Sequence, residues 1–150
     1  NETFGVVKAA GILVSLIAVY FISQNKFKTL VNDNVSYQHS NYIAISVVTE
    51  EKDKFELNTN FKDSIQLVFG DDENSFTKEQ ALQIINLVKN NQQTNIVVHC
   101  LMGISRSAAI ALFLDEWLNQ TYISDISRSR YVNYNRHVYT TLLKTFNEIE

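Results

Sequence analysis

The pattern of apolar and polar positions predicts strands that alternate with helices. Four apolar runs, rich in valine and isoleucine, are separated by polar or charged segments: Ile12 to Ile22, Tyr42 to Val48, Ser64 to Phe69 and Ile96 to Cys100. Continuous apolar runs of this kind are typical of parallel strands that are covered on both faces. We therefore expect an α/β fold with a central, mostly parallel sheet flanked by helices.

The segments between and after these runs predict the helices. Thr77 to Gln80 has the pattern of a capping box, and the apolar residues after it recur at helical spacing. The predicted helices are a short helix or turn at Gln24 to Val31, the capped helix ending near Asn90, and two later helices, Arg106 to Asn119 and Thr140 to Ile149. We interpret the charged segment Glu50 to Lys54 as a solvated turn.

The first apolar stretch allows two interpretations. Residues 4–23 are almost wholly apolar apart from Lys8, and basic residues follow, so their length and flanks also fit a membrane span. Alternatively Gly11 divides the stretch, and Ile12 to Ile22 forms a buried strand of the sheet. We favour the strand. The membrane alternative would attach the chain to a membrane through residues 4–23.

Length, charge and cysteine content narrow the class of protein. A chain of 150 residues is expected to form one domain, 1–150. Its net charge of −3 argues against a general nucleic-acid-binding protein. Cys100 is the only cysteine, so no internal disulfide can form, and a lone thiol fits a reducing, cytoplasmic compartment.

The most informative stretch is Ile96 to Ala109, where a strand passes through a tight loop into a helix that begins near Arg106. Such a loop directs backbone N–H groups into one concavity at the positive end of the helix dipole, which makes an anion cradle. Cys100 lies at its entrance and Arg106 at its exit, with five residues between them. The candidate phosphate-binding residues are Leu101, Met102, Gly103, Ile104, Ser105 and Arg106.

Cysteine and arginine at this spacing point to phosphoryl transfer. A helix N-terminus and a nearby guanidinium stabilise the thiolate of Cys100, and the thiolate is the nucleophilic form. The planar fork of Arg106 fits two phosphate oxygens at once. Phosphate held in the cradle would therefore be transferred to sulfur as a cysteinyl-phosphate. We expect no metal ion and no cofactor, because the cradle and Arg106 supply the positive charge.

The pattern His99-Cys100-x5-Arg106-Ser107 resembles that of the protein tyrosine phosphatase superfamily, and the run from Gly103 to Ser107 is most similar to its small dual-specificity branch. The resemblance implies a cysteine-phosphatase-like architecture and hydrolysis of phosphomonoesters on a phosphoprotein or phosphopeptide. We expect inorganic phosphate and vanadate to inhibit by occupying the same site.

The resemblance also implies a general acid, an aspartate on a loop before the cysteine. Asp63, Asp71 and Asp72 are in range, and Asp71 follows the predicted strand that ends at Phe69. We favour Asp71, with Asp72 as the alternative; the third interpretation is that neither is the acid and that the segment is a solvated acidic turn. The chain contains no proline, so the Trp-Pro-Asp loop of classical tyrosine phosphatases is missing.

Four further residues receive roles from the resemblance. Ser107 donates a hydrogen bond to the cysteine sulfur and helps the thiolate leave. His99 orients the cradle without transferring protons; as a lone histidine it also fits a core position. Arg130 and Asn135 match a C-terminal pattern of the dual-specificity branch, in which the arginine helps to position the substrate.

Two other functions stay open at this point. One is a catalytically impaired, phosphate-binding reader, which would require a defective general acid. The other is a phosphoinositide phosphatase, although Leu101, Met102 and Ile104 are neutral where lipid-phosphate members tend to have lysines. A sulfur transferase is disfavoured, because such enzymes have an active-site loop of different size without the matched arginine.

Overall fold

The computed structural model describes residues 17–32, 41–57, 61–119 and 131–150. Four strands lie in this part of the chain: β1 (Val19–Ser23), β2 (Tyr42–Val48), β3 (Asp63–Val68) and β4 (Asn95–Cys100). They form one parallel sheet in the order β1-β4-β2-β3. The predicted α/β architecture is confirmed, and every strand pair within the described residues is parallel.

The order of the strands explains their burial. β4 and β2 lie in the middle, and nearly all of their side chains are buried. Among the four described strands β1 lies at an edge, and Tyr20 on it is 49% exposed. The described end of the first apolar stretch, residues 17–23, therefore contains the strand β1, which is only partly buried. Residues 4–16 of that stretch lie outside the described residues. Among the described residues, no helix is both long and apolar enough to cross a membrane.

Four helices are described: α1 (Gln24–Asn32), α2 (Lys78–Lys89), α3 (Arg106–Asn119) and α4 (Arg136–Ile149). The capping box at the start of α2 is present, with hydrogen bonds in both directions between Thr77 and Gln80. α4 begins four residues before the predicted Thr140, because Asn135 caps it by accepting a hydrogen bond from the N–H of Val138. The segment predicted as a solvated turn contains a short, exposed 3-10 helix, Glu51–Asp53.

Alternate residues of the central strands supply two cores, one on each face of the sheet. Ile45 and Val98 face the larger core, to which α2, α3 and α4 contribute. Ala44 and Val97 face the smaller core, which contains Phe27 of α1. The carboxyl ends of β2, β3 and β4 meet at one edge between these layers, which is where parallel sheets place their sites.

Candidate active site

The cradle loop connects β4 to α3 and rests against the end of β1. Gly103 has φ +76° in the left-handed region, and a Cβ on it would lie 2.5 Å from the backbone nitrogen of Ser23. Only glycine fits both the backbone conformation and this close approach. The N–H of Gln24 also donates to the carbonyl oxygen of Leu101 at 3.1 Å. The end of β1 therefore fixes the shape of the loop.

Hydrogen-bond donors converge on the sulfur of Cys100, which is only 2% exposed. The N–H of Gly103 lies 3.3 Å from Sγ, and the hydroxyl of Ser107 lies 3.2 Å from it. Burial raises the pKa of the thiol, but these two donors and the N–H groups of Ser107 and Ser105 lower it by more. The pKa of Cys100 therefore lies below its ordinary value, so its thiolate forms more readily than that of an ordinary cysteine.

Arg106, at the start of α3, is buried and held from two sides. One terminal nitrogen, Nη1, donates to the carbonyl oxygen of Phe69 at 2.7 Å and to the hydroxyl of Thr49 at 3.1 Å. Its Nε is buried with no hydrogen-bond partner among the described residues. A buried donor without an acceptor costs about 1–3 kcal/mol. The guanidinium is thus fixed in place while its buried Nε–H has no acceptor among the described residues.

A cavity of about 330 Å³ opens over the sulfur. Every predicted phosphate-binding residue except Gly103 lines this cavity, together with Cys100 and two residues from other elements. Its walls are Thr49, Asp71, Cys100, Leu101, Met102, Ile104, Ser105 and Arg106. The side chains of Leu101, Met102 and Ile104 are more than half exposed around its mouth. Among the described residues, no group of three or more histidine, cysteine, aspartate or glutamate side chains could hold a metal ion.

The two candidate acids occupy different environments. Oδ1 of Asp71 accepts hydrogen bonds from the Ser105 hydroxyl and from Nδ2 of Asn135, each at 2.7 Å, and Asp71 lines the cavity over Cys100. Asp72 accepts from the N–H groups of Asn74 and Ser75 and from the Ser75 hydroxyl. The Ser75 hydroxyl, followed by these N–H groups, lowers the pKa of Asp72. Asp72 therefore holds its own turn as a carboxylate, and Asp71 is the candidate acid that lines the cavity together with Cys100.

His99 lies below the cradle at a fully buried position. Its ring stacks on Phe27 with the centroids 4.3 Å apart, and Nδ1 lies 3.4 Å from the carbonyl oxygen of Cys100. Since that oxygen can only accept, Nδ1 carries the proton, and Nε2 accepts from the hydroxyl of Ser46 at 2.5 Å. Gln66 donates in turn to Ser46 at 2.9 Å. Burial lowers the pKa of His99 to about 4, so the ring is neutral.

Five of the predicted residues thus come together at one site: Asp71, Cys100, Ser105, Arg106 and Asn135. Arg130 lies outside the described residues. Sequence reasoning missed Thr49 and Ser46. Thr49 directly follows β2 at the carboxyl edge of the sheet, and that position was a usable signal. Nothing in the sequence linked Ser46 to His99.

Comparisons with known proteins identify the family and the fold. The model of the protein-tyrosine phosphatase family matches residues 17–136. The structure of DUSP15 is similar at 17% identity with a TM-score of 0.59, covering 89% of this chain and 85% of that one. PTPMT1, solved in complex with PI(5)P, is similar at 18% identity with a TM-score of 0.53, covering 88% and 92%.

The human tyrosine phosphatase-like serine/threonine/tyrosine-interacting protein has the same fold, at 16% identity with a TM-score of 0.55 and 85% of each chain covered. No curated protein sequence matches the chain significantly. The structural likenesses establish the fold, and the family model covers most of the chain. The chain therefore belongs to the protein-tyrosine phosphatase family and has the fold of its small dual-specificity members.

Proposed function

We propose that the protein is a metal-independent phosphomonoester hydrolase of the tyrosine or dual-specificity type, acting on phosphoproteins through a cysteinyl-phosphate. The observation that carries this proposal is the pairing of Cys100, whose thiol pKa is lowered, with the buried Arg106, whose Nε has no partner among the described residues. Both line one cavity, so a phosphate oxygen would supply the acceptor that Arg106 is missing.

The first half-reaction transfers the phosphoryl group to sulfur. The Cys100 thiolate attacks phosphorus and forms the S–P bond, while the bond to the leaving oxygen breaks. Asp71 in its acid form donates a proton to that oxygen. The hydrogen bonds from Ser105 and Asn135 place the carboxyl group at the mouth of the cavity.

The second half-reaction regenerates the enzyme. Asp71, now a carboxylate, takes a proton from water as the water oxygen attacks phosphorus and the S–P bond breaks. The Ser107 hydroxyl donates to the departing thiolate, which it already contacts at 3.2 Å. His99 is neutral and takes no part in proton transfer; its Nδ1–H steadies the carbonyl of Cys100.

The rim of the cavity favours a phosphoprotein substrate. The exposed side chains of Leu101, Met102 and Ile104 surround the sulfur with apolar surface, which suits the carbon skeleton of a phosphorylated side chain. None of the three is basic, whereas a phosphoinositide carries further phosphates. We therefore place phosphoprotein ahead of phosphoinositide. The single reactive thiol also suits a reducing compartment such as the cytoplasm.

The test is hydrolysis of an aryl phosphate in the presence of a chelator. We expect turnover by the wild-type protein, none by Cys100→Ser, and severe impairment of Arg106→Lys, because an ammonium cannot form the bidentate fork. Tight phosphate binding without turnover would identify a reader instead. Activity that the chelator abolishes would contradict the metal-independent mechanism.

A further inference from the structure

A second cavity lies directly beside the cradle. Its volume is about 480 Å³, and it shares Thr49 and Leu101 with the cavity over the sulfur. Three lysines line it: Lys28 of α1, and Lys52 and Lys54 of the loop after β2. We call it the lysine cavity. The function proposed above assigns it no role.

Carboxylates lie beside two of the three lysines of the lysine cavity, but the ion pairs that they form are exposed and weak. Lys52 and Lys54 contact Glu50 and Glu51 at 3.2 and 3.1 Å. All four side chains are between 44% and 79% exposed, and such surface pairs are weak and exchange readily with other anions. The carboxylate of Asp53 also lines the cavity but accepts a hydrogen bond from the N–H of Glu50.

Lys28 differs from the other two lysines. Within the described part of the chain it forms no ion pair, and its Nζ lies 4.9 Å from the centre of the Phe55 ring. Its charge also contributes to lowering the pKa of the buried His99, after the larger effect of burial. Lys28 is thus an ammonium at the cavity wall that rests on an aromatic ring and, among the described residues, has no ion-pair partner.

We propose that the lysine cavity binds a second acidic group of the substrate, so that the preferred substrates are phosphopeptides with a carboxylate or second phosphate near the phosphorylated residue. The proposal rests on the proposed function, because it assumes that the phosphate itself lies over Cys100. Since Thr49 and Leu101 form walls of both cavities, the two sites are adjacent. An extended peptide advances about 3.3 Å per residue, which lets neighbouring side chains enter neighbouring cavities.

The surroundings favour a peptide over an anionic membrane surface. Glu50 and Glu51 project beside the lysine cavity, and the chain has a net charge of −3. These carboxylates would be repelled by the headgroups of an anionic leaflet. A single acidic side chain can instead enter the cavity and displace a weak ion pair.

The experiment measures binding, so that it does not depend on turnover. Cys100→Ser protein retains the backbone cradle and Arg106, and serves as the background. Phosphotyrosyl peptides are compared in pairs: one peptide has glutamate at a given position, and the other has glutamine there. Successive pairs place this position one residue further from the phosphotyrosine, on its N-terminal and on its C-terminal side. Three variants are made in this background. The first is Lys28→Ala, the second combines Lys28→Ala, Lys52→Ala and Lys54→Ala (the triple variant), and the third, Lys26→Ala, is the control. Lys26 is exposed on the same helix but does not line the cavity.

We expect glutamate at one or two positions to tighten binding over glutamine. Lys28→Ala should reduce that advantage by about two- to fivefold at low ionic strength, and the triple variant should remove it. Lys26→Ala should leave it unchanged. Equal affinity for the paired peptides at every position, no peptide binding at all, or the same loss in Lys26→Ala would overturn the proposal.

Two further measurements separate this proposal from related ones. The first is binding to vesicles that contain a bisphosphorylated inositol lipid. If this binding depends on Lys28 and the peptides show no glutamate preference, the cavity binds a lipid headgroup and the proposal of a peptide ligand is refuted. If wild-type protein fails to hydrolyse an aryl phosphate while the glutamate preference and its dependence on Lys28 persist, the hydrolase is refuted and the acidic subsite stands as part of a phosphopeptide reader.

Discussion

Asn135 has two separate tasks, and one substitution can separate them. Its Oδ1 accepts from the N–H of Val138 at 3.0 Å and caps α4, while its Nδ2 donates to Asp71 at 2.7 Å. Serine is as good an N-cap as asparagine but lacks the amide that reaches the carboxylate. We predict that Asn135→Ser lowers activity without lowering stability, whereas Asn135→Ala lowers both.

The size of each effect follows from the contacts. A hydrogen bond to a charged group contributes about 1.5–3 kcal/mol when shielded from water. Asp71 is exposed and Ser105 still holds it, so we expect a loss of about 1 kcal/mol, or roughly fivefold in kcat/KM. Removal of the cap in Asn135→Ala should lower the free energy of unfolding by about 1 kcal/mol; serine should stay within a few tenths.

The assay is a series of aryl phosphates with leaving groups of increasing pKa, combined with denaturant unfolding of the same proteins. Because Asn135 contacts Asp71, the proposed general acid, the loss should grow as the leaving group becomes poorer and should vanish for the most activated ester. Wild-type kcat/KM in Asn135→Ser across the whole series would refute this reasoning. An equal loss for every leaving group would show that Asn135 shapes the cradle instead of positioning Asp71.

Three more predictions follow from the site. Ser107→Ala should raise the pKa of the Cys100 thiol, so that alkylation by iodoacetamide requires higher pH; an unchanged pH profile would contradict the role of the hydroxyl. Asp71→Asn should depress kcat/KM for poor leaving groups and flatten the basic limb of the pH–rate profile, whereas Asp72→Asn should mainly lower the melting temperature. The pKa of His99 is about 4 in the folded protein and 6.5 unfolded, so the unfolded state binds the proton first as pH falls. The free energy of unfolding should therefore drop by a few kcal/mol between pH 6.5 and 4, and His99→Gln should show a flatter decline.

Local sequence patterns predicted the elements that build the cradle. The apolar run ending at Cys100, the glycine at position 103 and the small residues after Arg106 indicated a strand, a tight loop and a helix, and all three are present. The capping box at Thr77 was equally informative, because its hydrogen bonds join residues three apart. Signals of this kind depend only on neighbouring residues.

The rest of the site depends on contacts between distant parts of the chain. Asp71 meets Asn135 across 64 residues, and Arg106 meets Thr49 across 57. Sheet order decides both contacts, and sequence periodicity does not encode the order β1-β4-β2-β3. The start of α4 was misplaced for a related reason, since its first two residues, Arg136 and His137, are polar and its cap, Asn135, is held by contacts with Ser105 of the cradle and with Asp71.

The covalent intermediate is the central claim, and it can be observed directly. Wild-type protein would be mixed with an aryl phosphate and a chelator, quenched in acid during turnover, and analysed by intact mass and peptide mapping. For the wild-type protein we predict a mass increase of one phosphoryl group on the peptide that contains Cys100. Asp71→Asn should accumulate more of this adduct, because breakdown of the intermediate is slowed, and Cys100→Ser should form none. Turnover without any adduct, or with equal activity in Cys100→Ser, would contradict the account.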